Sequence, residues 1–238
     1  MNTVTALLSP ELLAALAAFD TPTICNALEL VAPARRAMGF NRKPLLSPIP
    51  GVKPVIGYAR TVTIRSREPH PRSKEEARAT RLSYYEYIGQ SPLPSLCVMQ
   101  DIDGPDTGFG CFWGEVQSNL HKALGCIGVV TDGAVRDIDV WAAGFFVLAG
   151  SVMPSHAHVD IVEFGGTVSV AGMIVASDDI VHADRHGAVV IPRAAAAALP
   201  QAAMTLARRE KVVLDACAAP GFKAADLAAI FARMDDIH

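Results

Sequence analysis

The first thirty residues carry apolar side chains at helical spacing. Four of them recur three or four positions apart: Leu12, Leu13, Leu16 and Phe19. Ser9 and Pro10 precede this run, and a serine cap followed by a proline with fixed φ is typical of a helix N-terminus. The pattern predicts one helix beginning at Ser9 or Pro10 and a second short helix over residues 24–30.

Strand patterns begin after residue 54. Residues 57–64, 95–101 and 126–131 predict strands, and the last run is apolar throughout, as in a strand buried on both faces. The charged residues 65–81 predict a solvated loop or a helix, and the spacing of apolar side chains over residues 115–124 predicts a helix. This mixture of strands and helices predicts an α/β protein.

The second half of the chain alternates short β-rich runs with glycine turns. It predicts strands at residues 145–148, 160–164, 167–170, 180–182 and 188–191, then an alanine-rich helix over 193–217 interrupted near Pro200. The glycines match neither GxGxxG nor GxxxxGK[ST], so a phosphate-cradling loop is not expected. We therefore expect a layered sheet in a single domain, without the doubly wound nucleotide-binding pattern.

Composition and charge limit which binding partners and which cellular compartment we expect for the protein. The formal net charge of -3 gives no long-range attraction for nucleic acid, and no uninterrupted apolar run reaches the roughly 18 residues of a membrane span. The N-terminal segment has no basic leader, so we expect a cytoplasmic protein. Five scattered cysteines without a CxxC pair argue against a disulfide framework and a zinc knuckle.

The candidate chemistry follows the strand at residues 126–131. Residues 132–137 read Asp-Gly-Ala-Val-Arg-Asp, and charged groups after a buried strand lie where ligands of open α/β sheets bind. Arg136 offers a planar fork for a carboxylate, and Asp137 offers hard oxygen to Mg²⁺ or Mn²⁺. The alternative is an Arg–Asp surface pair with Asp137 as the cap of a following helix. The residues alone leave both open.

A second candidate element lies upstream at Gly114-Glu115, where a helix begins. Free backbone N–H groups at a helix start attract anions, so a substrate carboxylate is expected there. Twenty residues separate Glu115 from Arg136, enough for one helix and one strand returning to the same end of the sheet. We expect Glu115 and Arg136 to face one cleft.

Gly114-Glu115, the twenty-residue spacing and Arg136-Asp137 together resemble the signature of the RraA-like family. This family includes the 4-hydroxy-4-methyl-2-oxoglutarate / 4-carboxy-4-hydroxy-2-oxoadipate aldolases and the regulator of ribonuclease activity A. Residues 168–172 and 178–192 are also similar to the family's hairpin before its last helix. The resemblance implies a layered β/β/α fold of the phosphohistidine-swivelling type. Residues 1–30 would form N-terminal helices, 55–192 the core and 193–238 a C-terminal helical segment.

The resemblance also implies an activity, a class II pyruvate aldolase. A divalent-metal-dependent lyase would cleave a 4-hydroxy-2-oxo acid to release pyruvate, with oxaloacetate decarboxylation as a side activity. Asp137 would hold Mg²⁺ or Mn²⁺ and Arg136 would bind the pyruvyl group, helped by the turn formed by Gly114, Glu115, Val116 and Gln117. Glu115 replaces an aspartate of the aldolases and would act through water as the acid–base group. The implied assembly is a homotrimer or a dimer of trimers. The alternative is a non-catalytic regulator that binds a ribonuclease or another protein.

Three further features are weaker candidates. His156 and His158 would share one face of a strand, and a pair lining a cleft or a subunit contact is favoured over metal ligands. Glu210 is read as an exposed helix acid, or as a carboxylate near a neighbouring subunit's metal. The loop over residues 31–54 would cover the cleft and bind a second substrate carboxylate through its basic residues: Arg35, Arg36, Arg42 and Lys53.

Overall fold

The computed structural model describes residues 7–90 and 92–237. Its α-helices are α1 (Pro10–Ala17), α2 (Thr21–Val31), α3 (Lys74–Ile88), α4 (Glu115–Ala123), α5 (Arg193–Ala196), α6 (Leu199–Ala218) and α7 (Leu227–Asp235). Its strands are β1 (Val55–Arg65), β2 (Ser95–Asp101), β3 (Cys111–Trp113), β4 (Cys126–Thr131), β5 (Ala134–Val135), β6 (Phe146–Leu148), β7 (Ser151–Val152), β8 (Asp160–Phe164), β9 (Val168–Val170), β10 (Met173–Val175), β11 (Ile180–Asp184) and β12 (Gly187–Ile191).

The largest sheet has seven strands. Its order is β12-β11-β1-β2-β4-β6, with β8 also paired to β1. Strands β1, β2, β4 and β6 run parallel, whereas β8, β11 and β12 add antiparallel pairs. The hairpin β9-β10 and a parallel sheet β3-β5-β7 complete the β structure. The predicted α/β class is confirmed.

The two N-terminal helices are confirmed, the first with its predicted serine cap, whereas the second begins at Thr21, three residues before the predicted start. The Ser9 hydroxyl accepts the N–H of Leu12 at 3.2 Å, and the Asp20 carboxylate accepts the N–H of Thr23 at 2.8 Å. The predicted long loop is confirmed over residues 32–54, since Val31 ends α2, apart from a 3-10 turn at Pro33–Arg35 and isolated bridges to the strands.

The largest differences in extent from the sequence prediction are in two helical regions. The charged residues 65–81, predicted as a loop or a helix, contain the first half of helix α3. This helix begins at Lys74 and ends seven residues after residue 81. Ser73 and Glu76 form a capping box at its start, a signature that the sequence already contained. The last long helix is divided into α5 and α6, with Pro200 in the first turn of α6, where a missing N–H costs nothing.

Three groups of buried side chains make up the core. One contains Trp113 of β3 and Val135 of β5 together with Trp141 and Phe145, so it fixes the segments on either side of α4. A second packs the hairpin β9-β10 on the main sheet, and a third packs α1, α2 and α6 on its other end. In the described part of the chain, no helix has the length and apolar character needed to cross a membrane.

Candidate active site

Arg136 and Asp137 line a cavity of about 530 Å³, called here the Arg136 cavity. Gly114, Val116 and Gln117, three positions expected to bind substrate, line the same space. Further walls come from α3, from the residues before it and from the loop between β7 and β8. Five of the six principal site residues are therefore brought together in one cavity.

The short parallel sheet explains this convergence. Strand β3 pairs with β5, and the N–H of Arg136 continues the pairing by donating to the carbonyl of Trp113 at 3.0 Å. Parallel neighbours end at the same edge, so Gly114 and the Arg136-Asp137 pair emerge side by side. The strands of this sheet have only two or three residues, too few to show a period, so the sheet could not be predicted from the sequence.

Asp137 directs its carboxylate to the start of α4. Its backbone is left-handed, with φ 56° and ψ 36°, a conformation that aspartate tolerates better than most residues. One carboxylate oxygen, Oδ2, accepts the N–H of Glu115 at 3.3 Å and lies 3.5 Å from Nε of Arg136. The expected Arg–Asp pair is present, but no side-chain hydrogen bond caps the following 3-10 turn Ile138–Val140. The carboxylate therefore lies beside a helix N-terminus with both side chains more than one third exposed.

Gly114 leaves the space that the Asp137 carboxylate occupies. A Cβ atom at Gly114 would lie 2.4 Å from Oδ2 of Asp137 and 3.2 Å from Cγ of Arg136. The Gly114 backbone is extended, so glycine is needed at this position for close approach and not for an unusual φ. Any larger residue would displace the acid from the helix start.

Two consecutive tyrosines of α3 position Gln117, Tyr85 directly and Tyr84 through His121. The hydroxyl of Tyr85 donates to Oε1 of Gln117 at 2.9 Å, which leaves the amide N–H groups available to the cavity. The Gln117 carbonyl lies 2.7 Å from Nδ1 of His121, whose Nε2 lies 2.7 Å from the Tyr84 hydroxyl. Burial lowers the pKa of His121 to about 4, so the ring is neutral at pH 7 and donates from Nδ1 to the carbonyl.

The donor chemistry fits a water-rich divalent ion. Among the described residues, no group of three or more His, Cys, Asp or Glu side chains is placed to hold a metal. Mg²⁺ is commonly held through one or two carboxylates, with water and substrate completing its octahedron, and Asp137 supplies such a carboxylate. The Cys111 thiol also lines the cavity, but burial raises its pKa and its Sγ donates to the carbonyl of Met153.

The remaining candidates take different positions. The exposed Glu115 side chain is not among the lining groups, although its N–H contacts Asp137. His156 and His158 do line the cavity, but they lie in the loop between β7 and β8, so the strand geometry expected for them was wrong. Glu210 is an exposed residue of α6.

The basic loop does not reach the Arg136 cavity within this chain. Over the described residues, the lining of that cavity includes nothing from 31–54. Arg35 and Arg42 line a different cavity, and Lys53 lines a third. The expectation of a lid formed by the same chain was wrong, because pairing of Phe40 with Val189 and of Leu46 with Ala149 holds the loop elsewhere.

The RraA-like family, described as Aldolase/RraA, matches residues 21–190. This chain belongs to the RraA-like family. It is also similar to an uncharacterized protein of Methanocaldococcus jannaschii, with 27% identity over 172 residues that cover 70% of this chain and 77% of the relative.

Two solved structures share the RraA-like fold. An uncharacterized protein from Pseudomonas syringae pv. tomato has a TM-score of 0.68 and 20% identity, covering 91% of this chain and 96% of its own. A Streptomyces coelicolor protein, described as an unusual member of the RNase ES inhibitor RraA protein family, has a TM-score of 0.66 and 22% identity, with coverages of 87% and 97%. At these identities the likeness shows the fold, and the predicted fold class is confirmed.

Proposed function

We propose that this RraA-like protein is a divalent-metal-dependent lyase that cleaves a 4-hydroxy-2-oxo acid and releases pyruvate. The observation that supports this proposal is that the Arg136 guanidinium, the Asp137 carboxylate and the N-terminus of α4 lie together at one cavity. A protein that only binds a partner has no physical need for this combination. The same groups would serve oxaloacetate decarboxylation, since both reactions generate the enolate of pyruvate.

Arg136 and α4 would hold the anionic part of the substrate. The planar guanidinium matches the carboxylate of a 2-oxo acid through two parallel hydrogen bonds. The amides of Val116 and Gln117 stand in the first turn of α4, where a helix provides no internal acceptor, and both residues line the cavity. These preorganised donors would stabilise the negative charge that develops on the substrate oxygen as the C3–C4 bond breaks.

Asp137 would hold Mg²⁺ or Mn²⁺, and the bound ion would supply Lewis-acid stabilisation of the enolate. Glu115 donates its backbone N–H to the Asp137 carboxylate, but its exposed side chain does not line the cavity. It would therefore act through water as the acid–base group. It would accept the proton of the C4 hydroxyl as the aldehyde or ketone product forms. The electron pair of the broken bond remains on the pyruvyl fragment, whose C3 then takes up a proton.

We further propose that the protein works as a homotrimer or a dimer of trimers. Val116, on α4 beside the cavity, is 67% exposed, and Leu120 on the same helix is 40% exposed. A neighbouring subunit would cover such side chains, and the exposed Glu210 would face a neighbour's metal.

The direct test is pyruvate release from oxaloacetate and from 4-hydroxy-2-oxo dicarboxylates, with Mg²⁺, with Mn²⁺ and after chelation. We expect turnover that requires the metal and is lost in Asp137→Ala. Metal-independent turnover, or an Asp137→Ala variant as active as the wild type, would contradict the assignment.

The second candidate is a non-catalytic regulator, favoured by the likeness to the Streptomyces coelicolor member of the RNase ES inhibitor RraA family. This hypothesis predicts that the purified protein slows RNA cleavage by a ribonuclease of that type. The Asp137→Ala variant should slow the cleavage to the same extent. Pyruvate release with no effect on the ribonuclease would favour the lyase.

A further inference from the structure

A second cavity of about 510 Å³ contains an unusual share of arginine. We call it the arginine cavity, and it has no lining residue in common with the Arg136 cavity. Arg35 and Arg42 of the long loop and Arg193 at the start of α5 line it, together with one acid, Asp179. Three guanidinium groups against one carboxylate make its formal charge positive.

Two of these guanidinium groups occupy positions that only glycine leaves open. A Cβ atom at Gly39 would lie 2.1 Å from an Nη atom of Arg35, and one at Gly172 would lie 2.9 Å from Nε of Arg42. Both glycines also have φ values above 80°, which side-chain-bearing residues rarely adopt. The local backbone is therefore shaped around the arginine side chains.

Backbone carbonyls hold these groups in place without neutralising them. Arg35 donates to the carbonyl of Val190 at 3.3 Å, and Arg42 donates to that of Gly172 at 3.2 Å. Within the described ranges, neither forms an ion pair with a carboxylate, whereas the adjacent Arg36 is paired with Glu29 at 3.1 Å. Each guanidinium has five N–H donors, so several remain for another acceptor.

The third guanidinium is also oriented by its surroundings. Arg193 donates to the carbonyl of Asp178 at 2.9 Å and lies over the ring of Tyr58. Asp179 already accepts the N–H of Ala176 at 2.8 Å through one oxygen. Apolar side chains complete the lining: Met38, Phe40, Ile174 and Val190.

We propose that the arginine cavity is a binding site for a small organic anion that carries two or more carboxylates. Guanidinium forks match carboxylates in geometry, several forks on separate segments match a polyanion, and the apolar side chains match a carbon skeleton. The site is separate from the proposed lyase chemistry and does not depend on it.

Citrate is a suitable probe, titrated by calorimetry into the metal-free protein at constant ionic strength. The variants are Arg35→Gln and the exposed Arg42→Gln, with Arg36→Gln as the matched control and Arg136→Gln to exclude binding in the Arg136 cavity. We expect saturable binding that weakens about tenfold or more in Arg42→Gln and Arg35→Gln, as for lost charged hydrogen bonds. Binding should stay unchanged in Arg36→Gln, and the citrate site that depends on Arg35 and Arg42 should persist in Arg136→Gln.

Three results would overturn the proposal. These are no saturable binding to the wild type at millimolar citrate, equal binding by Arg42→Gln and the wild type, or loss of binding in Arg136→Gln alone. Arg42 is exposed, so its variant is expected to fold even if Arg35→Gln does not.

Discussion

Replacing Gly114 by alanine tests whether the placement of the Asp137 carboxylate matters for activity. The new Cβ would lie 2.4 Å from Oδ2 of Asp137, and ordinary contact begins near 3.4 Å. The carboxylate must therefore move by about 1 Å, a displacement that can cost roughly 100-fold in rate when it misplaces a reacting group. Because the Gly114 backbone is extended, alanine adds no φ strain.

The cost to stability should be smaller than the cost to activity. The displaced carboxylate would lose its hydrogen bond to the N–H of Glu115, and loss of such a helix-terminal bond costs about 0.5–2 kcal/mol. We therefore expect Gly114→Ala to fold, to melt a few degrees lower, and to lose most of its kcat/KM.

The assay is metal-dependent pyruvate release from oxaloacetate, measured together with Mn²⁺ affinity. Gly166→Ala is the matched control, since a Cβ there would meet nothing closer than 3.8 Å. If Gly114→Ala kept kcat/KM and Mn²⁺ affinity within about twofold of the wild type, the carboxylate position would be irrelevant and our reasoning from the 1 Å displacement would fail.

Other predictions concern the supporting residues. Tyr85→Phe should raise KM about threefold to tenfold with kcat retained, because it frees the Gln117 amide. The control is Tyr87→Phe, which removes a hydroxyl bonded to Thr61 and Ser177 and should leave KM unchanged. Equal KM values for both variants would refute the role of Tyr85 in positioning Gln117. The pKa of His121 is lowered to about 4, so the unfolded chain takes up a proton first as pH falls. The contribution of His121 to the free energy of unfolding is therefore fully present above about pH 6.5 and falls by about 3 kcal/mol as the pH decreases to 4. In denaturant unfolding, His121→Asn should show a weaker dependence of stability on pH. Gly128→Ala should lower the free energy of unfolding by about 1–3 kcal/mol, because its Cβ would lie 2.8 Å from the carbonyl oxygen of Phe146. Gly89→Ala, with contacts no closer than 3.6 Å, is the control, and equal unfolding energies would contradict this packing argument.

The elements with strong periodicity could be predicted from the sequence. Strands β2 and β4 have the predicted bounds, and α1 begins at Pro10 as its Ser-Pro-Glu start indicated. The family resemblance also directed attention to residues 114–117 and to the Arg136-Asp137 pair, which the structure places in one cavity.

Other features depend on long-range contacts that local patterns do not encode. Strands β3 and β5 are too short to show a period, and only their pairing brings Gly114 beside Asp137. The role of Tyr85 arises from the packing of α3 against α4, and its sequence neighbourhood gives no sign of it. The basic loop was assigned to the wrong cavity because its bridges to Val189 and Ala149 are non-local.

The central claim is that Asp137 binds the divalent ion while Arg136 binds the 2-oxo acid beside it. Mn²⁺ titration followed by electron paramagnetic resonance, with and without oxalate as an enolate analogue, tests it directly. We predict that Asp137→Ala abolishes Mn²⁺ binding, and that Arg136→Gln retains Mn²⁺ but loses the gain in affinity caused by oxalate. Unchanged Mn²⁺ binding in Asp137→Ala would contradict the account.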